Sequence, residues 1–100
     1  PTLISPATST TTTLNPIPLI LNTNSVGIYD KTDFCRIQIS TDSTFNSVTT
    51  KDVEVPATTS SVTYDFENAL IGQKYFWRVK ARDNANNESS YTTPRSIKRN

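Results

Sequence analysis

Residues 72–83 carry the clearest structural signal in the chain and read Gly72-Gln-Lys-Tyr-Phe-Trp-Arg-Val-Lys-Ala-Arg-Asp83. Apolar residues recur at every second position from Tyr75 onward, and the positions between them hold one phenylalanine and basic residues. A period of two is typical of a β-strand with one buried and one solvated face. We therefore predict that Tyr75, Trp77 and Val79 lie in the core. The alternative, an exposed Trp77 that stacks on sugar, does not fit this phase.

The same alternation recurs along the chain, whereas no segment of ten or more residues has a helical apolar period. The core prediction therefore extends to Leu21, Ile37, Ile39 and Tyr64, which are apolar positions of three further runs. The alternating runs outside the first stretch are Ile17–Leu21, Cys35–Ile39, Val53–Val55 and Val62–Phe66, and a last run spans Tyr91–Lys98.

Prolines and threonines modify the strands near both ends of the chain. Pro18 predicts an edge strand or an irregular start, and Pro94, inside the last run, predicts an edge strand, because proline cannot donate to a strand ladder. Residues 3–4 begin a first strand that Pro6 breaks, and the threonine-rich segment Ala7–Leu14 is interpreted as an irregular crossover of that strand rather than as a linker.

One hundred residues correspond to a single domain spanning residues 1–100. About seven short strands separated by polar breaks are typical of a β-sandwich. The predicted fold is therefore all-β: a single seven-stranded antiparallel sandwich.

The run from Gly72 to Asp83 resembles a strand of fibronectin type III domains, of the kind found in bacterial and phage surface proteins. In those domains a glycine three residues before a tyrosine precedes the alternating run, as Gly72 precedes Tyr75. The resemblance extends to residues 1–6, 39–45 and 82–91, and it implies an immunoglobulin-like topology. It also implies that the Tyr75 hydroxyl bonds back to nearby backbone while its ring packs inside.

Composition excludes several classes of function. The chain has no histidine, which removes the Ser-His-Asp triad, the Cys-His pair and most zinc sites. Its single cysteine, Cys35, cannot form an internal disulfide, and its phase with Ile37 predicts a buried, inert thiol. The net charge of +1 gives no bulk attraction to nucleic acid, and no apolar stretch is long enough for membrane insertion.

The charges are nevertheless unevenly distributed. Residues 74–100 carry seven basic and two acidic groups, a net +5, whereas residues 1–73 have a net −4. In a sandwich of the predicted kind, the outward side chains of neighbouring strands form one basic face that contains an aromatic ring. The candidate binding face comprises Arg36, Gln38, Phe76, Arg78 and Lys80. Such a face binds phosphate, an acidic glycan or an acidic protein surface, or else it is a solvated sheet face paired with local acids.

The remaining constellations favour no catalytic, cofactor or metal site. Oxygen ligands crowd the segment Asp83–Glu88, but the alternate-position pattern and the glycine of a calcium loop are missing, so a plain turn is predicted. Asp30 and Asp33 flank a second loop for which a solvated turn is the simpler interpretation. The carboxylate pairs Asp52/Glu54 and Asp65/Glu67 have no apolar surroundings that would prepare them for acid–base work.

The functional expectation is a non-enzymatic structural or binding module on a surface. The first setting is a phage virion component, a capsid decoration or tail domain, that docks on a host structural protein and weakly contacts cell-surface glycans. Pro1, which is compatible with removal of an initiator methionine, favours this setting. The alternative is a spacer or carbohydrate-contacting module of a larger secreted bacterial enzyme or adhesin. The expected location is accordingly the virion surface or the extracellular cell surface, with protein and polysaccharide rather than nucleic acid as partners.

Overall fold

The computed structural model describes residues 2–22, 34–56, 61–82 and 88–100. Over these residues the chain is all-β, and it forms no helix that is long and apolar enough to cross a membrane. The strands are β1 (Thr2–Ser5), β2 (Thr10–Thr12), β3 (Ile17–Asn22), β4 (Phe34–Ser40), β5 (Thr50–Pro56), β6 (Ser61–Phe66), β7 (Lys74–Arg82) and β8 (Arg95–Arg99).

The strands form two sheets, a three-stranded sheet in the order β1-β3-β6 and a five-stranded sheet in the order β2-β8-β7-β4-β5. This arrangement agrees with an immunoglobulin-like sandwich. The described residues contain eight strands rather than the predicted seven, because the first strand divides between the two sheets. β1 pairs with β3, and β2 pairs with β8.

The division of the first strand also corrects the prediction of a purely antiparallel sandwich, because β2 runs parallel to β8. The crossover between the sheets contains Pro6, which has no backbone N–H to donate to a ladder. The threonine-rich segment interpreted as an irregular crossover thus contains the short strand β2, and β-branched threonine suits this sheet edge.

The prediction that the prolines mark edge strands is wrong, because β3 and β8 each lie between two neighbouring strands. β3 is the central strand of its sheet, but β1 pairs with β3 only from Asn22 to Ile20, so Pro18 has a neighbour on the β6 side alone. β8 begins at Arg95, immediately after Pro94, and lies between β7 and β2. Pro18 therefore lies where only one ladder forms, and Pro94 lies outside the strand.

The core lies between the sheets and contains the inward side chains of both. Trp77, Val79, Leu21 and Ile37 are fully buried, and Ile39 is 2% exposed. The half-buried Tyr64 packs against this cluster from the edge strand β6. Burial of side chains of this size contributes about 1.5–3 kcal/mol each, so these alternating positions provide most of the driving force for folding.

The corner between β6 and β7 has the geometry that the resemblance implies. Gly72 has a φ of +83°, a conformation that side-chain-bearing residues rarely adopt. The Tyr75 hydroxyl accepts a hydrogen bond from the Leu70 N–H at 2.9 Å, and its ring meets that of Phe66 edge-on at a centroid distance of 5.0 Å. Tyr75 therefore fixes the residues before β7 to the core.

Candidate functional site

The five residues of the candidate binding face lie together on the outer face of the five-stranded sheet. β7 lies between β4 and β8, as the predicted basic face required. Arg36 is directly opposite Lys80, and Gln38 is directly opposite Arg78. Phe76 follows in the next row, opposite Ser40 of β4 and Ser96 of β8.

Arg78 is held by contacts within the fold. Its Nε and Nη2 atoms donate to Gln38 Oε1 at 3.0 and 2.8 Å. The guanidinium carbon lies 4.1 Å from the ring centroid of Phe45 and 3.9 Å from that of Tyr91. A guanidinium between two rings gains about 0.5–2 kcal/mol from each. Arg78 thus links the β4–β5 connection to the segment before β8.

Arg36 and Lys80 are paired with acids of the same face. The Nε atom of Arg36 lies 3.1 Å from Asp52 Oδ1 as an ion pair, although the angle is not that of a hydrogen bond. The Lys80 ammonium donates to Glu88 Oε2 at 2.9 Å, and Tyr91 lies under the same ammonium with its ring centroid 4.7 Å away. The hydrogen bond between Lys80 and Glu88 raises the pKa of Lys80 and lowers the pKa of Glu88.

One half of the outer face therefore carries basic residues that are paired with acids. We call it the neutralised half, and its basic residues are Arg36, Lys80 and Arg82. A further ion pair, between Arg82 and Glu54, extends it toward the end of β7. In the described residues, the basic groups predicted to attract an anion here are each paired with a carboxylate, an amide or a ring. Asp52 and Glu88 thus offset the charges of Arg36 and Lys80, while Arg78 is held by an amide oxygen and two rings, none of which is charged.

Two lysines that sequence reasoning did not include lie in the adjoining row of the same face. Lys74 of β7 is directly opposite Lys98 of β8, and Thr11 of β2 is the next residue across. Lys74 has the same phase as Phe76 and Arg78, so the alternation contained the signal for it. Lys98 was missed because its pairing depends on the register of β8, which no local pattern specifies.

The apolar side chains left in solvent are also unevenly placed. Of five exposed large hydrophobic residues in the described part of the chain, four lie on the connections β2–β3, β4–β5 and β6–β7. Hydrogen bonds join the ends of β2 and β8 to each other and to the β6–β7 connection: Asn100 N–H donates to Thr12 O at 2.7 Å, and Gly72 N–H donates to Arg99 O at 2.7 Å. We call this region the apolar end; it comprises Leu14, Val48, Leu70 and Ile71.

Comparison with known protein families matches residues 25–99 to the Rha78A-like, N-terminal immunoglobulin domain. The chain belongs to this family. No curated protein matches the chain. An immunoglobulin-like domain is thereby shown, whereas the more specific resemblance to fibronectin type III domains of phage or bacterial surfaces stays a prediction.

Few side chains of this immunoglobulin domain could act as a nucleophile, an acid–base group or a metal ligand. Cys35 is fully buried, and desolvation raises the pKa of its thiol, which keeps it protonated and unreactive. Asp52 and Glu54 are engaged with arginines of the same face. Within the described ranges, no three or more cysteine or acidic side chains converge as metal ligands would. Asp30, Asp33 and most of the Asp83–Glu88 segment lie outside those ranges.

Proposed function

We propose that this immunoglobulin domain is a non-enzymatic structural module of a larger protein and that it packs against a neighbouring domain of that protein. The family match supports this setting, because an N-terminal domain is by description followed by further chain. The proposal corresponds to the spacer alternative of the sequence analysis. Its docking surface is the apolar end.

The observation that carries the proposal is the exposure of apolar side chains on the connections at one end of the sandwich. Leu70 and Ile71 are 66% and 70% exposed, and they are consecutive in the chain. Surface apolar residues are ordinarily scattered singly, so several exposed ones on the connections at one end favour an interaction site there. A domain that followed Asn100 would emerge beside this cluster, where it could cover these side chains without a long linker.

The chemistry of the described residues supports a role in association rather than in turnover. The carboxylates on β5 are paired with arginines, and the chain has no histidine that could act as a general base near neutral pH. A role as a virion component draws no support from the family match and stays a prediction. The coding sequence on either side of residues 1–100 would show whether the domain is a module of a larger protein or a virion component.

The test compares the full-length gene product with the isolated 100-residue chain by hydrogen exchange. We expect the amides of residues 67–73 to be protected more strongly in the full-length protein, because a neighbouring domain covers them there. A double variant, Leu70→Ser with Ile71→Ser, should remove the added protection. In the isolated chain it should change the free energy of unfolding by only about 0.5 kcal/mol, because both side chains are exposed.

The matched control is Ile4→Ser, which changes an exposed isoleucine on β1 away from the apolar end. It should leave exchange at residues 67–73 unchanged in both proteins. Equal exchange in the full-length protein and the isolated chain would refute the proposal. A gene that encodes no chain after Asn100 would refute it as well.

A further inference from the structure

The outer face of the five-stranded sheet has a groove of about 180 Å³ at its β2 edge. The groove lies in the row of Lys74 and Lys98, beside the neutralised half of the face. Four hydroxyl-bearing residues, two lysines and one buried isoleucine line it: Ser9, Thr10, Thr11, Ser96, Lys74, Lys98 and Ile97. None of the four residues of the apolar end lines the groove, but Ile71 pairs with Arg99, the neighbour of Lys98. Binding in the groove is therefore tested on the isolated 100-residue chain, in which no neighbouring domain is present.

The two lysines of the groove are neighbours with like charge. Lys74 and Lys98 are directly opposed on antiparallel strands, which places their Cβ atoms about 4.5–5.5 Å apart. Like charges in directly opposed positions destabilise a sheet. None of the ion pairs of the described residues includes either lysine, in contrast to Arg36 and Lys80 in the neighbouring rows. The groove therefore concentrates positive charge that no carboxylate of these residues neutralises.

Thr11 supplies a hydroxyl group beside this charge, whereas the Thr10 hydroxyl donates to Ala7 O and the Ser96 hydroxyl accepts the Ser9 N–H. Thr11 shares the outward row with Lys98, and its side chain is exposed. Ser9 has a positive φ of 62°, and its N–H donates to the carbonyl oxygen of Ser96 at 2.8 Å. This backbone conformation, uncommon for serine, brings the segment before β2 against β8 and closes one side of the groove.

We propose that this groove binds the anionic group of an acidic polysaccharide, a carboxylate or sulfate on a sugar ring. Two ammonium groups bind one such anion, and serine and threonine hydroxyls complement the neighbouring hydroxyl groups of a sugar. Phe76 is the next outward residue of β7, and its ring centroid lies 5.3 Å from the Lys74 ammonium. The ring provides an apolar surface beside the groove for the C–H face of a sugar, and the volume suits one anionic group with part of its sugar.

The small net charge of the chain favours a polysaccharide over nucleic acid as the ligand of the groove. The whole chain has a net charge of +1 and a pI of about 8.4. Nucleic-acid-binding domains have a higher pI and basic residues that follow the phosphate backbone over several positions. Here two unneutralised lysines lie in a small groove, and the remaining basic residues of the candidate face are already paired. One anionic group at a time is what this arrangement can hold.

The experiment measures binding of oligogalacturonate to the 100-residue chain by nitrogen-15 NMR titration. We expect the amide signals of residues 9–11, 74 and 96–98 to shift, and the affinity to fall as salt is added. The double variant Lys74→Gln with Lys98→Gln should bind at least tenfold more weakly. Because it removes the like-charge pair, its melting temperature should equal or exceed that of the original chain, which excludes misfolding as the cause.

The control is Lys51→Gln, which removes one lysine charge from β5, outside the groove, and should leave affinity unchanged. A fully methyl-esterified oligogalacturonate should not bind, and binding of a sulfated oligosaccharide through the same residues would support the proposal with sulfate as the anion. Three results would each overturn it: no shifts at these residues with either acidic probe, equal affinity for the esterified probe, or tighter binding of oligothymidylate.

Discussion

Removing the Tyr75 hydroxyl tests whether the corner before β7 depends on a single hydrogen bond. The hydroxyl accepts the Leu70 N–H at 2.9 Å, while the ring contacts Phe66 inside the core. Tyr75→Phe keeps the ring and its packing, so it creates no sizeable cavity. The change in stability then reports the hydrogen bond alone.

The magnitude follows from the burial of the two groups. A hydrogen bond between neutral groups contributes about 0.5–1.5 kcal/mol net, and a donor left without a partner in a buried site costs about 1–3 kcal/mol. The Leu70 N–H is only partly buried, so water can replace some of the loss. We expect the free energy of unfolding to fall by about 1–1.5 kcal/mol, which lowers the melting temperature of a domain of this size by about 4–12 °C.

Urea denaturation followed by tryptophan fluorescence measures this change. Trp77 is the only tryptophan and is fully buried, so its emission reports loss of the core. The m-value should stay the same, because the surface exposed on unfolding does not change. Tyr64→Phe is the matched control, since the structure gives the half-buried Tyr64 hydroxyl no hydrogen bond in the described residues.

Two results would contradict this prediction. One is a Tyr75→Phe variant as stable as the original chain. The other is an equal loss in Tyr75→Phe and Tyr64→Phe, which would indicate a general effect of tyrosine hydroxyls rather than this hydrogen bond. Hydrogen exchange at the Leu70 amide gives an independent check, since only Tyr75→Phe should accelerate it.

Two further substitutions test the turn and the outer face. Gly72→Ala should cost about 1–2 kcal/mol in urea denaturation because its φ of +83° disfavours a side chain, although no atom lies within 4 Å of an added Cβ; an unchanged midpoint would contradict this. Glu88→Gln should lower stability at pH 7, because the hydrogen bond from Lys80 lowers the pKa of Glu88 in the folded state. That bond contributes stability above about pH 4.3, the unfolded-state pKa, and the contribution is lost as the pH falls through the lower pKa of the folded state. The difference in melting temperature from the original chain should therefore disappear in strong acid, and a constant difference would show that Glu88 acts through packing.

Much of the fold was predictable from alternation, because the inward phase of a strand depends only on neighbouring residues. Trp77 and Val79 are buried and Arg78 lies on the outer face, as the period of two predicts. The edge predictions from Pro18 and Pro94 failed for the opposite reason. Whether a strand is central depends on which distant segments pair with it, and a proline constrains only its own N–H.

The candidate binding face was likewise predictable only in part. Its five members were predicted together because β4 and β7 both alternate. The partners of these residues could not be predicted: Phe45 comes from a connection without periodicity, and Tyr91, the first residue of the last run, lies before β8 rather than in it. Glu88, which pairs with Lys80, is likewise outside any alternating run.

Residue types and their spacing over a few positions were enough to establish the all-β class, the buried phase of β7 and the absence of histidine-dependent chemistry. Which charges are neutralised was settled only when distant segments came together in the folded chain. Lys80 meets Glu88, whereas Lys74 meets Lys98, and this difference arises from strand register and from long-range contacts. Electrostatic interactions depend on distances in space, so a one-dimensional count of charges predicts where a basic face lies but not which part of it remains able to bind an anion.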